Sequence, residues 1–169
     1  LTEEALQVSR DQLSQVLLTA HMGIWNLNTS TNQMKISPEF AQLVGEAASS
    51  VSLDAVLKNI HPEDRERTGH TIQEAIAQRQ SFTIEYRIFD TRGNMLWVSN
   101  YGNVDCDPEG NIIGVTGLLH DITERKQAEE KLRKSEALLS EAQRVGRIGY
   151  LEWTAPDKHL TYSKELYDI

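Results

Sequence analysis

Residues 82–120 constrain the fold most. Phe82, Ile84, Tyr86 and Ile88 alternate with Thr83, Glu85 and Arg87, the period of two of a strand with one buried face. A turn signal follows at Thr91-Arg92-Gly93-Asn94, then a strand over 95–104, a second turn at Asp107-Pro108-Glu109-Gly110-Asn111, and a strand over 112–120. Three strands joined by such short turns must run antiparallel, because a parallel crossover needs a dozen or more residues.

The stretch before this meander reads as helices around a small hairpin. Leu6, Leu13 and Ala20 recur every seven residues beside Val16 and Leu17, predicting a helix over 3–20. Residues 23–28 alternate with Trp25 and Leu27 on one face; a turn at 30–32 and a return strand over 33–36 follow. Ser37-Pro38 sets a cap and first helical position for a short helix ending near Gly45. Residues 52–59 form another short helix, and His61-Pro62-Glu63-Asp64 opens a longer one, whose two acids suit its positive end. A final helix covers 122–146. The expected fold is therefore α+β: a five-stranded antiparallel sheet, short helices on one face, and a longer helix at each end.

The chain also resembles itself. A shift of 126 residues, without gaps, brings Glu3, Glu4, Leu6, Ser9, Leu13, Ser14, Gly23, Ser37 and Glu39 onto Glu129, Glu130, Leu132, Ser135, Leu139, Ser140, Gly149, Ser163 and Glu165. Apolar pairs join them: Leu27 with Trp153, Met34 with Leu160, Phe40 with Leu166. The expected organisation is an entry helix over 1–20, one domain over 21–122, a connecting helix over 123–147, and the start of a second, incomplete domain over 148–169.

The order of punctuating residues resembles the PAS domain with its PAC extension. The resemblance rests on Gly23-Ile24-Trp25, Ser37-x-Glu39, Leu43-x-Gly45, Ile60-His61-Pro62-Glu63-Asp64, Phe82-x-Ile84-Glu85-Tyr86-Arg87, Trp97-Val98, and Gly117 followed by Asp121-Ile122-Thr123-Glu124-Arg125-Lys126. It covers residues 13–126. It implies a non-enzymatic, cytoplasmic sensory module of a bacterial signalling protein, of histidine kinase or diguanylate cyclase type, with the effector domain elsewhere in the same chain. The alternative is a dimerisation and signal-relay module with no ligand.

Charge and residue usage narrow the chemistry. The net charge is −8, and residues 21–123 hold 13 acids against 7 bases, which argues against a nucleic-acid partner. No apolar run approaches the roughly 20 residues of a membrane span, and no direct membrane contact is expected. The single cysteine, Cys106, sits between two aspartates, a poor setting for a thiolate. The Asn-Cys-Arg-Phe-Leu-Gln motif of flavin-bonding PAS relatives is missing. Haem-binding relatives use a histidine on the long helix, but His70 lies about 160° round from Ile72 while Ile76 lies about 40° from it, which turns His70 to solvent. No cofactor and no metal site is expected.

Three groups of residues carry the functional expectation. Trp25, Leu27, Phe40, Leu43, Ile72, Ile76, Ile84, Tyr86 and Trp97 should line the sheet's inner face, as a packed core or as a ligand pocket. Asp121 should cap the outgoing helix, with Glu124 reaching back or Thr123 capping in its place, and this segment (Asp121, Ile122, Thr123, Glu124) should transfer signal. Ala128, Leu132, Ser135, Leu139 and Ala142, spaced alternately four and three apart, form a coiled-coil seam; Leu6 and Leu13 continue its phase in the entry helix. A homodimer through these helices is the expected partner state.

Overall fold

The computed structural model describes residues 2–146 and the backbone of 151–154 and 159–162, with side chains described through residue 144. The elements run α1 (Glu3–Thr19), β1 (Met22–Asn28), β2 (Gln33–Ile36), α2 (Pro38–Val44), β3 (Ser50–Ser52), α3 (Leu53–Lys58), α4 (Pro62–Gln78), β4 (Phe82–Phe89), β5 (Met95–Cys106), β6 (Ile112–Asp121), α5 (Thr123–Gly146), β7 (Leu151–Thr154) and β8 (His159–Tyr162). The chain divides into two compact units, Leu1–Glu124 and Arg125–Ile169.

In the first unit the sheet has six strands in the order β3-β2-β1-β6-β5-β4, every neighbouring pair antiparallel. The expected count was five. The sixth, β3, is three residues of Ser-Val-Ser at the edge, too short and polar to show a period, and it forms by pairing with β2. Its last residue, Ser52, also caps α3 by accepting from the Ala55 amide at 3.3 Å.

The meander is held by two turns of one design. Asp90 accepts from the Arg92 and Asn94 amides, and Asp107 accepts from the Asn111 amide, while each Asn returns a side-chain bond to its Asp. Inward positions of the strands build the core: Trp25, Leu27, Met34, Ile36, Phe82, Ile84, Tyr86, Ile88, Val98, Val115 and Leu119 are all buried, with Phe40 and Ile60 from the helical side. The helical segment spans this face between the sheet's two edges. At the far edge, the Ile60–Ile88 bridge, His61 N–H to the Arg87 carbonyl and Phe89 N–H to the Asn59 carbonyl fasten it to β4.

Gly23 lets α2 sit against β1, since a Cβ there would stand 2.3 Å from the Phe40 Cα. Ser37 joins the same corner from the other side, accepting from the Phe40 amide as helix cap and from the Ile24 amide of β1. The Ser14 hydroxyl of α1 bonds the buried Glu39 carboxylate of α2. Leu17 is the buried residue of α1; Leu6 and Leu13 are exposed.

In the second unit, β7 and β8 form an antiparallel pair whose partners are Leu151–Tyr162, Glu152–Thr161, Trp153–Leu160 and Thr154–His159.

Candidate functional site

The inner face of the sheet is not completely filled. One cavity of about 70 Å³ lies towards α2 and α3, reaching Phe40, Val44 and Phe89. A second, of about 150 Å³, lies towards α4 and is bounded by Leu27, Ile72, Ile76, Phe82 and Val115. The two share Trp25, Met34, Val56, Ile60, Tyr86 and Asn100, so this group is the wall between them.

That wall contains a hydrogen-bonded polar trio set among apolar side chains. The Trp25 indole N–H donates to Asn100 Oδ1 at 2.9 Å, and Asn100 Nδ2 donates to the Tyr86 hydroxyl at 3.0 Å. All three residues are buried. Burial pushes the Tyr86 phenol up to about 12, against the opposing bond from Asn100, so it is protonated at every physiological pH. Its own O–H meets no acceptor among the described residues. Gly117, opposite Trp25 on β6, leaves room for the ring: a Cβ there would stand 2.5 Å from it.

Of the nine expected lining residues, the fold gathers Trp25, Leu27, Phe40, Ile72, Ile76 and Tyr86 around these cavities. Of the other three, Ile84 and Leu43 fall under the packed-core alternative, and Trp97 needs correction. Ile84 is buried core and lines neither cavity. Leu43 packs at the margin of the core, facing a groove bounded by Leu17, His21 and Leu96. Trp97 stands on the outer face, because it neighbours Val98, which is fully buried. The sequence reading missed Asn100. Its signal was there: Val98, Asn100 and Gly102 are alternate residues of β5, so a polar side chain falls at an inward position.

Trp97 belongs to a different arrangement. It pairs directly with Arg87 across β4 and β5, and the Arg87 guanidinium carbon lies 5.6 Å from its ring centroid. Arg87 grips Asp64 at the start of α4 through Nε and its backbone N–H, both at 2.9 Å, and reaches Glu63 at 2.8 Å. These bonds hold the Asp64 carboxyl down at about 2 and push the Arg87 guanidinium further up. Glu63 and Asp64 therefore do more than suit a helix start: they tie α4 to β4.

The backbone of Trp97 leads into α5. The β5–β6 ladder ends at Val98–Asp121, yet it is extended: Ile122 N–H donates to the Trp97 carbonyl at 2.9 Å, and Trp97 N–H donates to the Thr123 hydroxyl at 3.0 Å. The Thr123 side chain thus stands in for a strand acceptor at the first residue of the helix. Asp121 Oδ1 accepts from Thr123 N–H at 2.8 Å, and Ile122 is buried. Glu124 is exposed. The cap is an Asp121–Thr123 turn, and Thr123 bonds the strand instead of the helix amides.

His70 is exposed on α4, with Nδ1 3.8 Å from Glu74. Cys106 is exposed at the end of β5, beside an irregularity in its pairing. Among the described residues no group of three His, Cys, Asp or Glu side chains is placed to hold a metal ion, and no helix is long and apolar enough to cross a membrane. Leu132 and Leu139 are exposed along α5, where Arg125–Glu129 and Arg133–Glu130 pairs decorate the helix. By its match to Leu27 the sequence leads one to expect a buried Trp153, whose side chain lies outside those described.

Known proteins agree with this architecture. A blue-light-activated histidine kinase of Brucella anthropi is 31% identical over 124 residues, which is 73% of this chain and 25% of the relative. The sensor protein FixL of Bradyrhizobium diazoefficiens is 28% identical over 119 residues, 70% of this chain and 24% of the relative. The chain thus spans about a quarter of the length of these curated relatives. Among solved structures, a sensory box histidine kinase/response regulator from Burkholderia thailandensis superposes with a TM-score of 0.64 at 26% identity, over 77% of this chain and 98% of that one. The N-terminal domain of a diguanylate cyclase with PAS/PAC sensor from Marinobacter aquaeolei gives 0.58 at 21% identity, over 62% and 98%. The family model described as the PAS fold matches residues 33–119, more than half of the chain, and the chain belongs to that family.

Proposed function

We propose that this chain is the sensory and relay part of a cytoplasmic bacterial signalling protein, not itself an enzyme, with an effector of histidine kinase or diguanylate cyclase type in the same polypeptide. The carrying observation is the clamp of the Trp97 backbone on Ile122 and Thr123. It makes the first turn of α5 a continuation of the β5–β6 ladder, so a shift of β5 displaces the helix. Asp121, Ile122 and Thr123, followed by the exposed Glu124, form the segment that carries the signal. The likeness to a histidine kinase, 31% identical over 73% of this chain, supports the same reading.

The input is a compact, mainly apolar molecule with one hydrogen-bond acceptor, held at the Tyr86 O–H. Cavities of about 70 and 150 Å³ fall below the roughly 300–1,000 Å³ of sites for drug-sized ligands, which favours a small occupant. A ligand-free relay is the second reading, favoured by the internal bonding of Trp25, Asn100 and Tyr86. The module acts as a homodimer through the seam of Leu6 and Leu13 in α1 and Leu132 and Leu139 in α5.

The relay is tested by fusing residues 1–146 to a histidine kinase transmitter and replacing Thr123 with Val. Autophosphorylation should change several-fold while the domain stays folded. Unchanged output from a folded variant refutes the clamp. Mass spectrometry of material released on denaturation separates the ligand-bound from the ligand-free reading, and visible absorbance of the purified chain overturns the compact-ligand reading.

A further inference from the structure

We propose that residues 129–169 open a second unit of the same fold, so that α5 is both the exit helix of the first unit and the entry helix of the next. Two independent observations support this. The first is register. The β1–β2 partners are Trp25–Ile36, Asn26–Lys35, Leu27–Met34 and Asn28–Gln33. Each β7–β8 partner lies 126 residues further on: Leu151–Tyr162, Glu152–Thr161, Trp153–Leu160 and Thr154–His159. The shift that aligns the sequences is therefore the shift that aligns the hydrogen-bonded pairs, with the same four-residue connection. A slip of one residue would exchange the two faces of the hairpin, so this agreement is a demanding one.

The second observation is which residues are identical. Four of the positions shared between the copies are those that fasten the entry helix and α2 to β1 in the first unit. Gly23 permits the close approach of Phe40, Ser37 caps α2 while bonding β1, and Ser14 bonds Glu39. Their counterparts are Gly149, Ser163, Ser140 and Glu165. Gly149, Ser163 and Glu165 lie outside the described residues, and their identities are facts of sequence. Chance similarity between two amphipathic helices would match Leu and Glu; it would not select a glycine, a cap and both members of a hydrogen bond. The serial role of α5 rests on the relay reading above, whereas the duplication does not.

The test transplants the second hairpin into the first unit of the full chain. Residues 149–163 replace residues 23–37, an equal length that keeps Gly and Ser at the two ends. Because Trp25 bonds Asn100, a second version also carries Leu151→Trp in the transplanted segment. A control moves the frame by one residue, using residues 150–164. The in-register transplants should keep a cooperative thermal transition, the Trp version with the smaller drop in midpoint, and the shifted control should lose it. If the Trp version fails to fold, or if the shifted control folds as well as the in-register ones, the duplication is wrong. Because unfolding is read here and kinase output is read for the relay, failure of one leaves the other standing.

Discussion

Asn100 is the residue on which the interior of the first unit turns, and Asn100→Leu shows why. The change keeps the branched, four-heavy-atom shape of the side chain, with somewhat greater bulk, and removes both hydrogen bonds. The Trp25 indole N–H loses its acceptor and the Tyr86 hydroxyl loses its donor, both inside a buried apolar setting. A buried polar group left unpaired costs about 1–3 kcal/mol, so two of them cost about 2–6 kcal/mol. Leucine returns part of this, because an apolar side chain of that size gains about 1–2 kcal/mol over a desolvated amide. The expected net loss is about 2 kcal/mol, or roughly 6 °C in melting temperature at about 3 °C per kcal/mol for a domain of this size. Tyr86→Phe alone should cost about 1 kcal/mol by stranding the Asn100 amide. The double variant should cost less than the sum by about 1 kcal/mol, since the second change removes a group the first had left unpaired. Urea unfolding followed by circular dichroism measures all three. A variant Asn100→Leu as stable as the parent, or strict additivity in the double variant, would refute the polar wall.

Three other outcomes follow from the geometry. Asp64 is held at about 2 by Arg87 against an ordinary value near 3.8, so its contribution is present above pH 4 and lost as the pH falls towards 2. Discounted for the partial exposure of Arg87, that contribution is about 1–2 kcal/mol, and the stability gap between the parent and Asp64→Asn should close over this window; a pH-independent gap counts against the pair. Thr68 is fully buried and its hydroxyl meets no partner among the described residues, so Thr68→Val should raise stability by up to about 1 kcal/mol in urea unfolding, and a loss would place a partner at that hydroxyl. Leu132→Lys with Leu139→Lys should convert a dimer to a monomer by light scattering, and an unchanged mass would remove α5 from the interface.

The fold was legible wherever one face of an element is buried. Alternation in residues 82–88 placed Phe82, Ile84, Tyr86 and Ile88 inward, and all four are buried. The two Asp-to-Asn turns and the Ser37-Pro38 start were visible because each rests on a local contact of a few residues. β3 was not visible, because a three-residue edge strand exists only through its partner. The Arg87–Asp64 pair, 23 residues apart, needs the placement of α4 against β4 before it can be seen. Trp97 was drawn inward by its bulk, although Val98 beside it fixes the phase of the strand the other way. Composition names apolar lining residues; it cannot separate Ile84, which fills, from Ile76, which borders a void.

The outward Trp97 sits where several elements meet. Tyr86 and Arg87 are neighbours on β4 with opposite roles: Tyr86 bonds Asn100 within the cavity wall, and Arg87 stacks on Trp97 while holding α4. Asn100 and Trp97 lie three residues apart on β5, about 10 Å at the rise of a strand. In the proposed relay, a molecule bonded to the Tyr86 hydroxyl would act on β4 and β5, and the backbone of Trp97 on β5 meets the start of α5. The Trp97 backbone makes two bonds to the segment that enters α5, one to Ile122 and one to Thr123. Placed outside, it ties the cavity's two strands, the start of α4 and the first turn of α5 into one set of contacts.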